Sequence, residues 1–80
     1  MRLVFYGRLA EAIAPEIELD APSGCSVAQL RERLAAAYPK AGQALLSRQV
    51  RACVASAFVH DDSLVGAADT VEFLPPVSGG

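Results

Sequence analysis

Eighty residues, 52% of them hydrophobic and 20% charged, describe a single domain with a core just large enough to fold alone. A net charge of −2 excludes the basic footprint expected of a nucleic-acid or anionic-membrane binder. No apolar run approaches the length of a membrane span and no secretory leader opens the chain, so a cytoplasmic location is expected.

Met1 to Gly7 alternates as a strand, with Met1, Leu3 and Phe5 on one face and Arg2, Val4 and Tyr6 on the other. Arg2 marks the second face as the outer one. Arg8 to Pro15 reads as a connection holding one Ala-rich helical turn. Glu16 to Asp20 alternates again around Ile17 and Leu19, which predicts a hairpin with the first strand. Ala21 to Gly24 is a loop by composition. Ser26 followed by Gln29 forms a capping box that opens a helix. Its stripe is Val27, Leu30, Leu34 and Tyr38, with Arg31, Glu32 and Arg33 expected in water. Pro39 makes Tyr38 the last helical residue.

Lys40 to Ser47 is expected to include a short helical turn. From Gln49 the alternation returns, Val50, Ala52 and Val54 against Arg51 and Cys53. Ala57 to Val59 continues that strand or pairs with it, and His60-Asp61-Asp62 turns. Val71 to Leu74 closes the sheet, with Val71 and Phe73 inward. The order β-β-α-β-β predicts an α+β fold, a mixed sheet with one main helix packed on one face. Tyr6, Phe58 and Leu74 then point to the uncovered face, where they predict a patch that asks for a partner.

The body of the chain shows no catalytic constellation. His60 stands alone in an acidic turn without an oriented partner. Cys25 and Cys53 lack CxxC spacing and are expected to be ordinary thiols, and no metal site is expected. The chemistry is expected at the other end. Pro75 and Pro76 stop the last strand and hold the backbone extended. The arm from Pro75 to Gly80 reaches roughly 20 Å. Gly79 and Gly80 carry no side chain, so this arm suits a channel too narrow for other residues. Residues 1–76 read as the domain and 77–80 as a flexible tail.

With its C-terminal Pro75-Pro76-Val77-Ser78-Gly79-Gly80 and its opening Leu3-Val4-Phe5-Tyr6, the chain closely resembles the small subunit of molybdopterin synthase, a ubiquitin-like sulfur carrier. The resemblance spans essentially the whole chain and departs from the usual pattern at Ala55, where relatives carry Asn, and at Ala68, where they carry Gly. It implies a β-grasp fold and a Gly80 carboxylate that is adenylated, converted to a thiocarboxylate and used as a sulfur donor, with Gly79 giving clearance. It also implies three partners: an ATP-dependent activating enzyme, a sulfur-donor protein, and the large synthase subunit in a heterotetramer. Tyr6, Phe58, Leu74, Pro75, Pro76 and Val77 would contact them. No cofactor is expected on this chain itself, ATP being used by the activating enzyme. Alternatives are a carrier for thiamin or cysteine synthesis, a ubiquitin-like covalent modifier, and a plain interaction domain.

Overall fold

The structure, a computed structural model, describes residues 1–76. Val77, Gly79 and Gly80, and with them the expected boundary between domain and tail, lie outside the described residues. Strand β1 (Arg2–Phe5) and strand β2 (Glu16–Glu18) form the antiparallel hairpin that their alternation predicts, with helix α1 (Gly7–Ala12) in the connection. After the two-residue strand β3 (Cys25–Ser26) comes helix α2 (Val27–Ala37), opened by the capping box. Ser26 Oγ accepts from the Gln29 N–H at 3.1 Å, and Gln29 Oε1 accepts from the Ser26 N–H at 2.9 Å. Helix α2 ends one residue earlier than expected. Pro39 pushes Tyr38 out of helical geometry, so Tyr38 is the cap.

A 3₁₀ turn (Pro39–Ala41) and helix α3 (Gly42–Leu46) lead to strands β4 (Arg51–Val54) and β5 (Ala57–Val59), which pair with each other. Strand β6 (Leu64–Val65) pairs with β3, and β7 (Thr70–Leu74) closes the chain's main sheet. That sheet has the order β2-β1-β7-β4-β5, with β1 and β7 parallel and every other pair antiparallel. One mixed sheet with a helix laid on one face is the β-grasp arrangement expected from the pattern. The small β3–β6 sheet is an addition to it, closed by Gly24 at φ +70°, where a Cβ would stand only 2.3 Å from the Val65 carbonyl oxygen.

The core lies between the inner sheet face and the helices. Leu3, Phe5, Ala52, Val71 and Phe73 pack against Val27, Leu30 and Leu34 of α2 and Leu45 of α3, all of them buried. Phe5 and Phe73, paired in register, stack with centroids 5.6 Å apart, worth about 0.5–1.5 kcal/mol beyond their burial.

One expectation for α2 is overturned. Glu32 and Arg33 are exposed, but Arg31 is only 6% exposed. Its guanidinium donates to the carbonyls of Leu45 at 2.7 Å, Ser47 at 3.0 Å and Val50, while Nε donates to Asp61 Oδ1 at 3.0 Å. The same group lies 5.8 Å from the centroid of the Phe73 ring. Five donors in a rigid fork satisfy several fixed carbonyls at once, which explains why a charge is stable here. Arg31 thereby ties α2 to the loop before β4 and to the turn after β5.

The β4–β5 turn consists of Ala55 and Ser56, with φ of 51° and 67°. A two-residue hairpin turn of this kind favours Asn and Gly, because a Cβ in the left-handed region costs roughly 1–2 kcal/mol per residue. The double substitution Ala55→Asn, Ser56→Gly is therefore expected to stabilise the domain by about 1 kcal/mol. Urea unfolding checks this: the midpoint should rise with the slope unchanged, and a lower midpoint would show that the turn carries no strain.

Candidate functional site

The pleat sets which side chains meet on the uncovered face of the sheet. Val4, Glu72, Cys53 and Phe58 lie side by side across β1, β7, β4 and β5, and Leu74 lies opposite Arg51. Tyr6, the next outward residue after Val4, belongs to the same face. The structure thus brings Tyr6, Phe58 and Leu74 to one side. Tyr6 and Phe58 are 40% and 57% exposed, and Leu74 is half-buried.

Charge is interleaved with that apolar surface. The Tyr6 hydroxyl donates to the Glu72 carboxylate, and the Arg51 guanidinium sits 4.4 Å above the Phe58 ring. The first contact raises the Tyr6 phenol above its ordinary value, chiefly through the hydrogen bond to Glu72. A spectrophotometric titration, read as the difference between the native protein and Tyr6→Phe, should show this phenol ionising above about 10. Glu72→Gln should bring it back toward the ordinary value. A raised phenol pKa means that the contact's contribution is complete below the ordinary range and is lost as pH climbs through the raised value.

Strand β7 leaves this face through Pro75 and Pro76, both exposed. They border two clefts. One, of about 560 Å³, is lined by Gly7, Arg8, Ala44 and Val50; the other, of about 650 Å³, by Arg48, Arg51, Phe58 and Leu74. Gln49 lines both. Gly7 sits at φ +60°, and a Cβ there would meet Pro75 Cγ at 3.5 Å, an ordinary contact, so the backbone rather than space asks for glycine.

Among the described residues, catalytic groups do not converge around this exit. The His60 backbone N–H bonds Ser63 Oγ within its turn, and Asp61 is held by Arg31. Cys25 is half-buried and Cys53 buried, both as free thiols. Among the described residues no three His, Cys, Asp or Glu side chains cluster as metal ligands, and no helix is long and apolar enough to cross a membrane. The described geometry is that of an exposed, partly apolar sheet face beside the exit of β7. Sequence reasoning missed Arg48, Gln49 and Gly7 as its neighbours. Arg51 was legible, since the alternation of β4 places it outward.

The model of the ThiS family matches residues 3–80. The chain belongs to the ThiS family. It is a ubiquitin-like sulfur carrier, in agreement with the resemblance drawn from its motifs. No curated protein matches the sequence. Similar solved structures include SAMP1 of Haloferax volcanii, with a TM-score of 0.83 at 21% identity over 99% of this chain and 97% of that one. A second structure of small archaeal modifier protein 1 from H. volcanii gives 0.81 at 18% identity, covering 95% of both chains. A Pyrococcus furiosus protein assigned as molybdopterin converting factor subunit 1 gives 0.78 at 22%, also over 95% of both. At these identities the likeness establishes the β-grasp fold of this ThiS-family chain. Pro75 and Pro76 are the last described residues on the path to its Gly-Gly end, and Val77, Gly79 and Gly80 lie beyond them.

Proposed function

We propose that this carrier is the small subunit of a molybdopterin synthase and that Gly80 bears the sulfur. The observation that carries the reading is the route of the chain: a core strand ends on the uncovered sheet face and passes through Pro75-Pro76 toward Gly79-Gly80. A stiff double proline beside a partly apolar face aims a chain end, which a plain interaction domain would not need. The Pro-Pro-Val-Ser approach and the fold shared with the P. furiosus protein support the molybdenum pathway.

In this reading a Gly80 carboxylate oxygen attacks the α-phosphate of ATP in the activating enzyme, and pyrophosphate leaves. The resulting mixed anhydride has AMP as its leaving group, so hydrosulfide supplied by the donor can displace AMP at the carbonyl carbon and lose its proton, leaving the thiocarboxylate. The thiocarboxylate then enters the large subunit and passes its sulfur to a cyclic pterin precursor, building the dithiolene. Catalytic side chains belong to those partners. This chain supplies Gly80 as carrier, Gly79 as clearance and the face around Tyr6, Phe58 and Leu74 as the docking surface, in an assembly of two carriers on a large-subunit dimer.

The shared fold with small archaeal modifier protein 1 favours a second reading, a covalent modifier whose Gly80 joins lysines of other proteins. One experiment separates the two. The purified chain is incubated with activating enzyme, ATP and a sulfur source, its intact mass is recorded, and the product is mixed with the large subunit and the pterin precursor. Exchange of one terminal oxygen for sulfur, followed by molybdopterin formation, supports the synthase reading. Loading without product points to a carrier for thiamin or cysteine synthesis. Isopeptide conjugates at lysines in place of a terminal thioacid would replace it with the modifier reading.

A further inference from the structure

The charges of this protein are unevenly placed. Of its seven basic side chains, Arg2 pairs with Glu16 and Arg31 with Asp61, while Arg33 and Lys40, exposed and in no ion pair among the described residues, line neither cleft at Pro75 and Pro76. Arg8, Arg48 and Arg51 are exposed and make no ion pair among the described residues, and all three line the clefts that flank Pro75 and Pro76. Among the described residues no carboxylate lines either cleft. A third cleft beside them, which Arg48 and Arg51 share with His60, has Asp61 as its one carboxylate among the described residues, and Arg31 already holds it. Glu72, the nearest outward carboxylate on β7, takes the Tyr6 hydroxyl. The acidic strand β2, with Glu16 and Glu18, lies at the far edge of the sheet from β4 and β5. Three strand spacings, roughly 14 Å, separate β2 from β4. That exceeds the screening length of about 10 Å at moderate salt. The surroundings of the exit are therefore locally positive on a protein whose net charge is −2.

We infer that Arg8, Arg48 and Arg51 form a basic collar that receives a carboxylate-bearing face of the activating enzyme. The inference rests on the carrier reading above and adds the chemistry of the surface it must meet. Unpaired guanidiniums around an apolar centre of Phe58 and Leu74 have the layout of a protein interface, an apolar core inside a charged rim. Arg51 is held over Phe58 and so is ordered before contact, which lowers the entropy lost on docking. A nucleic acid is the less suitable occupant, because the acidic β2 edge and the negative net charge oppose a long phosphate backbone. Rim charges of this kind act mainly on encounter rate and on orientation.

The test compares the native chain with Arg48→Gln/Arg51→Gln and with Arg48→Glu/Arg51→Glu, each first checked for a native melting curve. Binding to the activating enzyme is measured at low and high salt, and sulfur loading is followed with kcat and KM separated. Neutralisation should weaken binding about tenfold at low salt and flatten its salt dependence, and reversal should weaken it about a hundredfold. The loss should fall on KM with kcat preserved, since Gly80 is untouched. If the reversed variant fails to fold, the neutral one still decides. Binding within twofold of native with the same salt dependence would overturn the collar while leaving the carrier reading intact. A native chain that the enzyme neither binds nor loads would overturn both. A labelled twenty-nucleotide single strand is titrated in parallel, and tight binding lost in the double variant would reassign the collar to nucleic acid.

Discussion

If this chain is a synthase carrier, removing Gly80 is expected to abolish sulfur loading and molybdopterin formation while the domain melts normally. In the proposed function the reacting carbonyl is presented inside two successive active sites, and a displacement of about 1 Å can cost on the order of a hundredfold in rate. Loss of one residue withdraws the carboxylate by roughly 3.5 Å, well beyond that tolerance. Adding a residue after Gly80 should be equally damaging. Gly79→Ala changes bulk without length, so a loss of rate there isolates the steric demand of the channel. Folding should be indifferent to all three changes, because the buried core of the described residues extends no further than Phe73. Intact mass after incubation with activating enzyme, ATP and sulfur source gives the answer. Sulfur acquired by the Gly80 deletion would end the carrier assignment of that residue.

Replacing Arg31 by Met should cost the fold about 3 kcal/mol and lower its melting temperature by about 15 °C. The substitution keeps the apolar stem and deletes the fork, so the carbonyls of Leu45, Ser47 and Val50 each lose a donor in a buried place. A domain of this size has a total stability of only about 5–15 kcal/mol, so the effect would be large. Arg31→Lys should fall between the two, because an ammonium cannot span the same carbonyls with one planar group. Thermal and urea unfolding measure both variants. A midpoint within about 1 kcal/mol of native for Arg31→Met would mean that water replaces the lost donors.

Arg31 also shows where sequence stopped being informative. The helical stripe of Val27, Leu30 and Leu34 was readable from spacing, and rotation along α2 assigns a neighbouring arginine to solvent. What buries it is a set of main-chain carbonyls far along the chain, and carbonyls leave no mark in an amino-acid sequence. The outward phase of Tyr6, Phe58 and Leu74 was legible because a strand has a strict period of two. The charges among them were half legible: Arg51 follows from the same alternation, but its place over Phe58 depends on the β4–β5 register. Strands β3 and β6 are two residues each, too short to show any period, and Leu64, 82% exposed on β6, gave no cue at all. Ala55 stands where the resemblance leads one to expect Asn, and its positive φ is a conformation that Asn tolerates better than Ala.

The position of β7 bears on the order in which the molecule is made. Its neighbours are β1, from the start of the sequence, and β4, from the middle, and it holds them together. Before β7 has been synthesised, the β1–β2 hairpin and the β4–β5 hairpin have no common partner, and the inner halves of the core have nothing to close on. Pairing the first strand with the last is the most non-local contact this chain can make, so closure of the sheet is expected to be late and slow compared with formation of α2. A nascent or proteolysed chain without β7 displays two open strand edges and its apolar face, which marks it for degradation or aggregation rather than for docking. In the proposed function, only molecules that have completed the strand leading to Gly80 would therefore compete for the partners' active sites.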